Sequence, residues 1–287
     1  MKKIVAVILL LCMVLTISAC GKVKITMQDM YDAAQTEAML ANHKSVYVQE
    51  AMDGEVWFEK YTTKDYVFSY MPGDEEWVEF MTDDTCYCYA GDVHVLYLPV
   101  DPNGLHSFAS DRAEKSAQNL LFEDCLDEII ESATKEDGRI TVESVLSQKN
   151  LEMLAEDGVI SGKSKYVLDA KSRELISIEN NYNLKDDVSY HTSMKISYDV
   201  EEPELVKTFL AYEKQTENLR NITIVSNPGT AKEVSQSVQA PKGLILGFRY
   251  DDEAYVFEAF NDAACTETYD PYADTESDLT IYIRWTE

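Results

Sequence analysis

The chain has 287 residues with 52 acidic and 25 basic side chains, a formal net charge of −27. That charge excludes electrostatic binding to nucleic acid or to a bare anionic bilayer, both of which select basic surfaces. Forty-five per cent hydrophobic residues, with 18 tyrosines and 9 phenylalanines, exclude a disordered tail and supply enough apolar surface for a sizeable core.

The chain opens MKKIVAVILLLCMVLTISACGK. Lys2 and Lys3 form a positive start, Ile4 to Ile17 is an apolar run, and Ser18 and Ala19 are small residues before Cys20. The pattern reads as an export signal, too short for a comfortable membrane span. Ile17-Ser18-Ala19-Cys20 resembles a bacterial lipobox, which implies a signal peptide over 1–19, acylation of Cys20 and an anchor linker over 20–26. More than one acyl chain gives stable anchoring without a span. Losing Lys2 and Lys3 but no acid, the mature 268 residues carry a net charge of −29.

Residues 27–42 predict one helix, with Met27, Met30, Tyr31, Ala34 and Ala38 at helical spacing. Six strands are predicted next, over 45–52, 55–62, 65–71, 76–82, 85–90 and 93–100. The breaks carry turn chemistry: Asp53-Gly54, Thr63-Lys64, Pro72-Gly73-Asp74, Asp83-Asp84 and Gly91-Asp92. A second helix is predicted from about Asp111 to Ala133, with Ala117, Leu120, Leu121, Cys125, Ile129 and Ala133 on one face. Strands over 139–148, 164–170 and 174–183 follow, with a short helical turn over 150–158.

Residues 188–200, VSYHTSMKISYDV, alternate strictly. Tyr190, Met194, Ile196 and Tyr198 share a face, and His191 lies on the polar one, as period-two geometry requires. Tyr66, Phe68 and Tyr70 share another such face. These seven residues, with Met27 and Met30 of the first helix, are the candidates for a hydrophobic cavity; packed core is the plainer reading of each.

A helix, six meander strands, an inserted helix and further strands resemble the LolA/LolB-like lipoprotein fold, together with the stretch YVLDAKSRELISIE. That resemblance implies α+β architecture: over residues 27–215, a curved antiparallel half-barrel with helices on its concave face. Residues 221–287 resemble the internalin-type B repeat, or Listeria–Bacteroides repeat. The residues that carry this are Ile222-Thr-Ile224, Asn227-Pro-Gly-Thr230, Tyr255-Val-Phe257, Asp262-Ala-Ala-Cys265-Thr266 and the ending Asp278-Leu-Thr-Ile-Tyr-Ile-Arg-Trp285. The repeat usually carries Gly-Trp-Tyr where this chain has Glu258-Ala259-Phe260. It implies a small β-grasp-like module used for spacing or protein interaction, with the boundary in 213–221.

No nucleophile elbow, zinc-protease helix, phosphate loop or dinucleotide fingerprint is present, so the sequence predicts a non-enzyme without cofactor. Carboxylate pairs such as Glu75-Glu76, Asp83-Asp84 and Asp251-Asp252 are what so acidic a chain gives by chance. Asp270, Asp274 and Asp278 lack the glycine and glutamate of a calcium loop. Cys86-x-Cys88 is a weak metal signal, so no metal is assigned, and the disulfide state of Cys86, Cys88, Cys125 and Cys265 stays open. The resemblances imply an extracytoplasmic protein, lipid-anchored to the membrane of a Gram-positive-type bacterium. Two functions fit: a carrier or sensor of a lipid or other hydrophobic small molecule, or a solid-core protein whose terminal module contacts a surface protein or glycan.

Overall fold

Alternating apolar residues and Asp-Gly turns make most of this chain antiparallel strand, with few helices. The computed structural model describes residues 21–73, 76–90, 93–185, 188–250 and 256–286. In chain order the elements begin with β1 (Gly21–Lys22), α1 (Met27–Ala33), α2 (Thr36–Asn42), β2 (Ser45–Met52) and β3 (Glu55–Thr63). Then come β4 (Val67–Met71), β5 (Trp77–Met81), β6 (Cys86–Ala90), β7 (Val93–Asp101), β8 (Gly104–Leu105) and α3 (Ala109–Ala117). A 3-10 turn (Glu123–Asp127) leads to β9 (Ile129–Glu136), β10 (Arg139–Val145), α4 (Gln148–Met153), β11 (Val159–Asp169), β12 (Leu175–Leu184) and β13 (Ser189–Tyr198). The chain finishes with α5 (Glu204–Glu213), β14 (Leu219–Ser226), β15 (Val234–Pro241), β16 (Ile245–Arg249), β17 (Val256–Phe260) and β18 (Leu279–Thr286). Among the described residues no helix is long and apolar enough to cross a membrane.

Two compact units result: residues up to Glu59 with Ala117–Val200, and Lys60–Ser116 with the chain from Glu201 on. In the first, the strands run in the order β1-β9-β10-β11-β12-β13-β2, every neighbour antiparallel. Register stacks the apolar positions: Val142 faces Tyr166, Tyr166 faces Ile178, Ile178 faces Met194, and Ile196 faces Val48. α1 and α2 cover that face with Met27, Met30, Met39 and Leu40, all buried. Asp53-Gly54 and Asp137-Gly138 turn the chain with both residues at positive φ, the geometry of a two-residue hairpin turn.

The single helix expected over 27–42 is two. Thr26 and Asp29 close a capping box on α1. At its other end Leu120 N–H donates to the Ala34 carbonyl at 3.0 Å, the Thr36 hydroxyl donates to the Gln118 carbonyl at 2.8 Å, and Asn119 Nδ2 donates to the Tyr31 carbonyl at 3.0 Å. These bonds take over groups a continuous helix would use, and Gln35 is extended. The helix expected over 111–133 ends at Ala117. Its apolar positions Ile129 and Ala133 lie instead on β9, whose pairing with β10 satisfies the backbone along a run that starts with two β-branched isoleucines.

In the second unit β4-β5-β6-β7 form an antiparallel meander, with β8 paired to β7 and β16 running parallel to β7. Gly247 on β16 faces Tyr97, and a Cβ there would lie 2.7 Å from the tyrosine ring, so the close approach needs glycine. A separate four-stranded sheet has the order β15-β14-β18-β17, with β14 and β18 parallel. Both α5 and β14, which flank the boundary expected at 213–221, belong to this unit. Arg220 is buried and donates to the carbonyls of Asp274 and Leu244, each at 2.8 Å, pinning two loops to β14.

Met30 is fully buried under the first unit's sheet. Met30→Ala is expected to lower unfolding free energy by about 2–5 kcal/mol in a urea titration, the range for buried large-to-small changes. A loss below about 1 kcal/mol would show that α1 is not part of the cooperative core.

Candidate functional site

The nine candidate cavity residues divide between the units. Met27, Met30 and Ile196 are buried in the first unit's core, and Met194 and Tyr198 pack half-buried against it. Tyr190 is half-buried and stacks on Tyr182 with centroids 5.0 Å apart. In the second unit Tyr66 and Phe68 are buried and Tyr70 is half-buried, stacked on Phe68 at 6.5 Å. There Phe80 meets Tyr66 at 5.0 Å and the Phe209 ring of α5 at 5.4 Å. Two of these tyrosine hydroxyls are held by partners: Tyr198 donates to the Leu175 carbonyl at 2.6 Å, and Tyr66 to Glu202 Oε1 at 2.9 Å. Cys20, Glu75, Asp251, Asp252 and Tyr255 lie outside the described residues.

A cleft of about 510 Å³ opens in the first unit where α1 and α2 meet the end of β11 and the turn after it. Ile25, Ala33, Ala38, Met39 and Leu168 supply its apolar wall, and its charged residues are Lys24 and Arg173 with Asp29, Asp32 and Glu174. None of the nine residues lines it. Sequence reasoning missed it because its walls come from segments about 130 residues apart. The signal within reach was the Asp169-Ala-Lys-Ser172 turn, whose Asp169 carboxylate accepts from the Lys171 and Ser172 N–H groups at 2.8 Å.

His43 fastens the margin of this cleft. Its Nδ1 bonds Asp199 Oδ2 and its Nε2 bonds Glu174 Oε1, both at 2.8 Å, and its ring stacks on Tyr198 at 4.4 Å. The Asp199 hydrogen bond, helped by Glu174, raises the imidazole pKa above its ordinary 6.5 despite partial burial. Glu174 itself lines the cleft, so α2, the 172–174 turn and the end of β13 are tied at one residue.

Other polar clusters are accounted for differently. Glu128 accepts from Ser144, from Ser164 at 3.1 Å and from Tyr166 at 3.0 Å; burial raises its pKa against those bonds. Asp274 is spent on its own loop, held at about 2 by the Ser277 and Glu276 N–H groups, and Asp278 accepts twice from Asn221. The second unit has a wide cleft of about 980 Å³ with Asp101, His106, Lys232 and Glu233 among its walls. It also brings Glu79 to Cys86 and Cys88, all three donor atoms within 4.8 Å of one another. The Cys86 and Cys88 sulfurs are 3.9 Å apart, a contact that lowers the Cys88 pKa and raises that of Cys86. All four described cysteines are free. Glu79 was legible in principle, since the short loop after Met81 sets Met81 across from Cys86 and Glu79 across from Cys88.

No protein-family model matches the chain, and no curated protein matches it. Among solved structures, lipoprotein LppX of Mycobacterium tuberculosis overlays 62% of this chain and 96% of its own, at 10% identity and a TM-score of 0.36. A LolA superfamily protein from Nitrosomonas europaea overlays 64% of this chain and 97% of its own, at 8% identity and a TM-score of 0.22. Both scores are below the level at which an overlay identifies a common fold, so function is argued below from the chain's own residues.

Because the His43 pKa is raised on folding, its contribution to stability is complete below the unfolded value and fades as pH climbs through the folded one. The unfolding free-energy gap between the chain and His43→Gln is expected to be widest near about pH 6 and to narrow toward about pH 9. Urea titrations across that range check it; a gap that is constant or widens with pH contradicts the clasp.

Proposed function

We propose that this protein is a non-enzymatic, extracytoplasmic binding protein, tethered through Cys20, that takes an amphiphilic ligand into the first unit's cleft. The observation that carries the reading is the cleft itself. Its volume is within the range of small-ligand pockets, about 300–1,000 Å³. Ile25, Ala33 and Ala38 suit a hydrocarbon segment, and a rim of mixed sign, Lys24 and Arg173 with Asp29, Asp32 and Glu174, suits a zwitterionic head. Position supports the same reading. Lys24 is four residues from Cys20, a reach of at most about 14 Å, so the anchor would hold the cleft close to the bilayer from which such a ligand comes.

The fold reading that accompanies this proposal is the LolA-like half-barrel with a β-grasp-like terminal module. The one-sided apolar sheet under α1 and α2 supports the first part. The order β15-β14-β18-β17, with its first and last strands in chain order parallel at the centre, supports the second. A solid-core interaction protein is the second reading, favoured by the close packing of Met30, Phe68 and Phe80, each at most 1% exposed.

Ala38 is exposed on α2 at the cleft wall, so Ala38→Trp fills the cleft without replacing a buried side chain. A pyrene-labelled zwitterionic lysophospholipid is expected to bind the full chain saturably at one per chain, and at least about tenfold more weakly to Ala38→Trp. Equal affinity in the variant, or no saturable binding, would reject the cleft and leave the second reading.

A further inference from the structure

β5 and β6 are neighbouring strands of the second unit, and their register puts Glu79 across from Cys88 and Met81 across from Cys86 on one face. Glu79 is 5% exposed, Cys86 and Met81 are fully buried, and Cys88 is half-buried, which leaves an access route from solvent on its side. The two sulfurs are 3.9 Å apart, and Cys86 Sγ lies 3.7 Å from Glu79 Oε1.

Those separations are the edges of a coordination polyhedron. A metal about 2.3 Å from two thiolates, at trigonal or tetrahedral angles, holds the sulfurs about 3.8–4.0 Å apart, and a carboxylate oxygen about 2.1 Å from the metal sits about 3.6–3.8 Å from a sulfur. A disulfide fits less well. Residues two apart on a strand have Cα atoms about 6.6–6.8 Å apart, at the outer limit for a disulfide, so the strand would have to deform. We propose that Glu79, Cys86 and Cys88 form a binding site for a soft, thiophilic metal ion, with copper(I) the best match.

Charge and donor type select the ion. Lys115 pairs with Glu79 Oε2, and Arg249 Nη1 lies 3.4 Å from Glu79 Oε1. The Glu79 charge is already met by these two cations, so the two thiolates are left to the ion, and thiolate donors in a largely buried place select a soft cation. Lys115 and Arg249 also fix the carboxylate from outside, the kind of support that orients metal ligands. The Met81 thioether beside Cys86 keeps the surroundings soft.

The test is an anaerobic titration of the reduced full chain against the chromophoric copper(I) bis-bicinchoninate complex. The full chain is expected to withdraw one equivalent of copper(I). The same uptake is expected of Cys125→Ser and Cys265→Ser, with affinity at least tenfold lower for Glu79→Gln and at least a hundredfold lower for Cys88→Ser. Failure of the full chain to withdraw copper, or equal affinity in a Cys86→Ser/Cys88→Ser double variant, overturns the site. Because Cys86 is buried and that double variant risks misfolding, X-ray absorption on the unmutated copper-loaded chain serves as an independent measurement. Two sulfurs at about 2.3 Å are expected, and a shell of nitrogen and oxygen alone overturns the proposal.

Discussion

The first unit depends on one constraint: a sheet that is apolar on one face must have that face covered. Period-two alternation puts Ile140, Val142, Tyr166, Leu168, Ile178 and Ile196 on the same side, and cross-strand register stacks them into a continuous surface. Each such side chain contributes about 1.5–3 kcal/mol when fully removed from water. α1 and α2 supply the cover, and the break between them follows from it. Asn119 and Leu120 donate to carbonyls at the end of α1 and Gln118 accepts from Thr36 of α2, which lets each short helix settle separately on the sheet.

The proposed ligand site lies at the margin of this cover. Beside α1, α2 and the turn after β11 lies a cleft lined by Ile25, Ala33 and Ala38 and by charged residues of both signs. His43 holds this margin at two carboxylates on different elements. The second unit solves its covering problem with aromatic stacking, Phe209 of α5 lying on Phe80 and Tyr87. Its buried polar residues include Arg220, Lys60 and Glu79, the last of these set among sulfur side chains. A buried carboxylate needs partners, and Lys115 and Arg249 provide them.

Most strands were legible because alternation and turn residues are local signals. β2 matches its expected span, and β3 ends one residue beyond its own, since Asp53-Gly54 fixes the hairpin between them. What distant segments decide was not legible. The split at Gln35 is imposed by contacts about 80 residues away in sequence, such as Thr36 to Gln118. The apolar spacing of residues 117–133 fits a helix as well as it fits a strand, and only the partner β10 decides between them. The parallel pairing of β16 with β7 joins residues 150 positions apart and leaves no local trace. The interior character of Met27, Met30 and Ile196 could be read from periodicity, whereas the cleft beside them could not, being a gap between elements rather than a pattern within one.

The central claim is that a ligand enters at the margin of the first unit's core. Hydrogen–deuterium exchange of the full chain, with and without a saturating lysophospholipid, tests it most directly because it locates binding without mutation. The account predicts slowed exchange confined to residues 24–42 and 168–174. Protection confined to β4–β7 or to residues from 219 onward, or none at all, would contradict it.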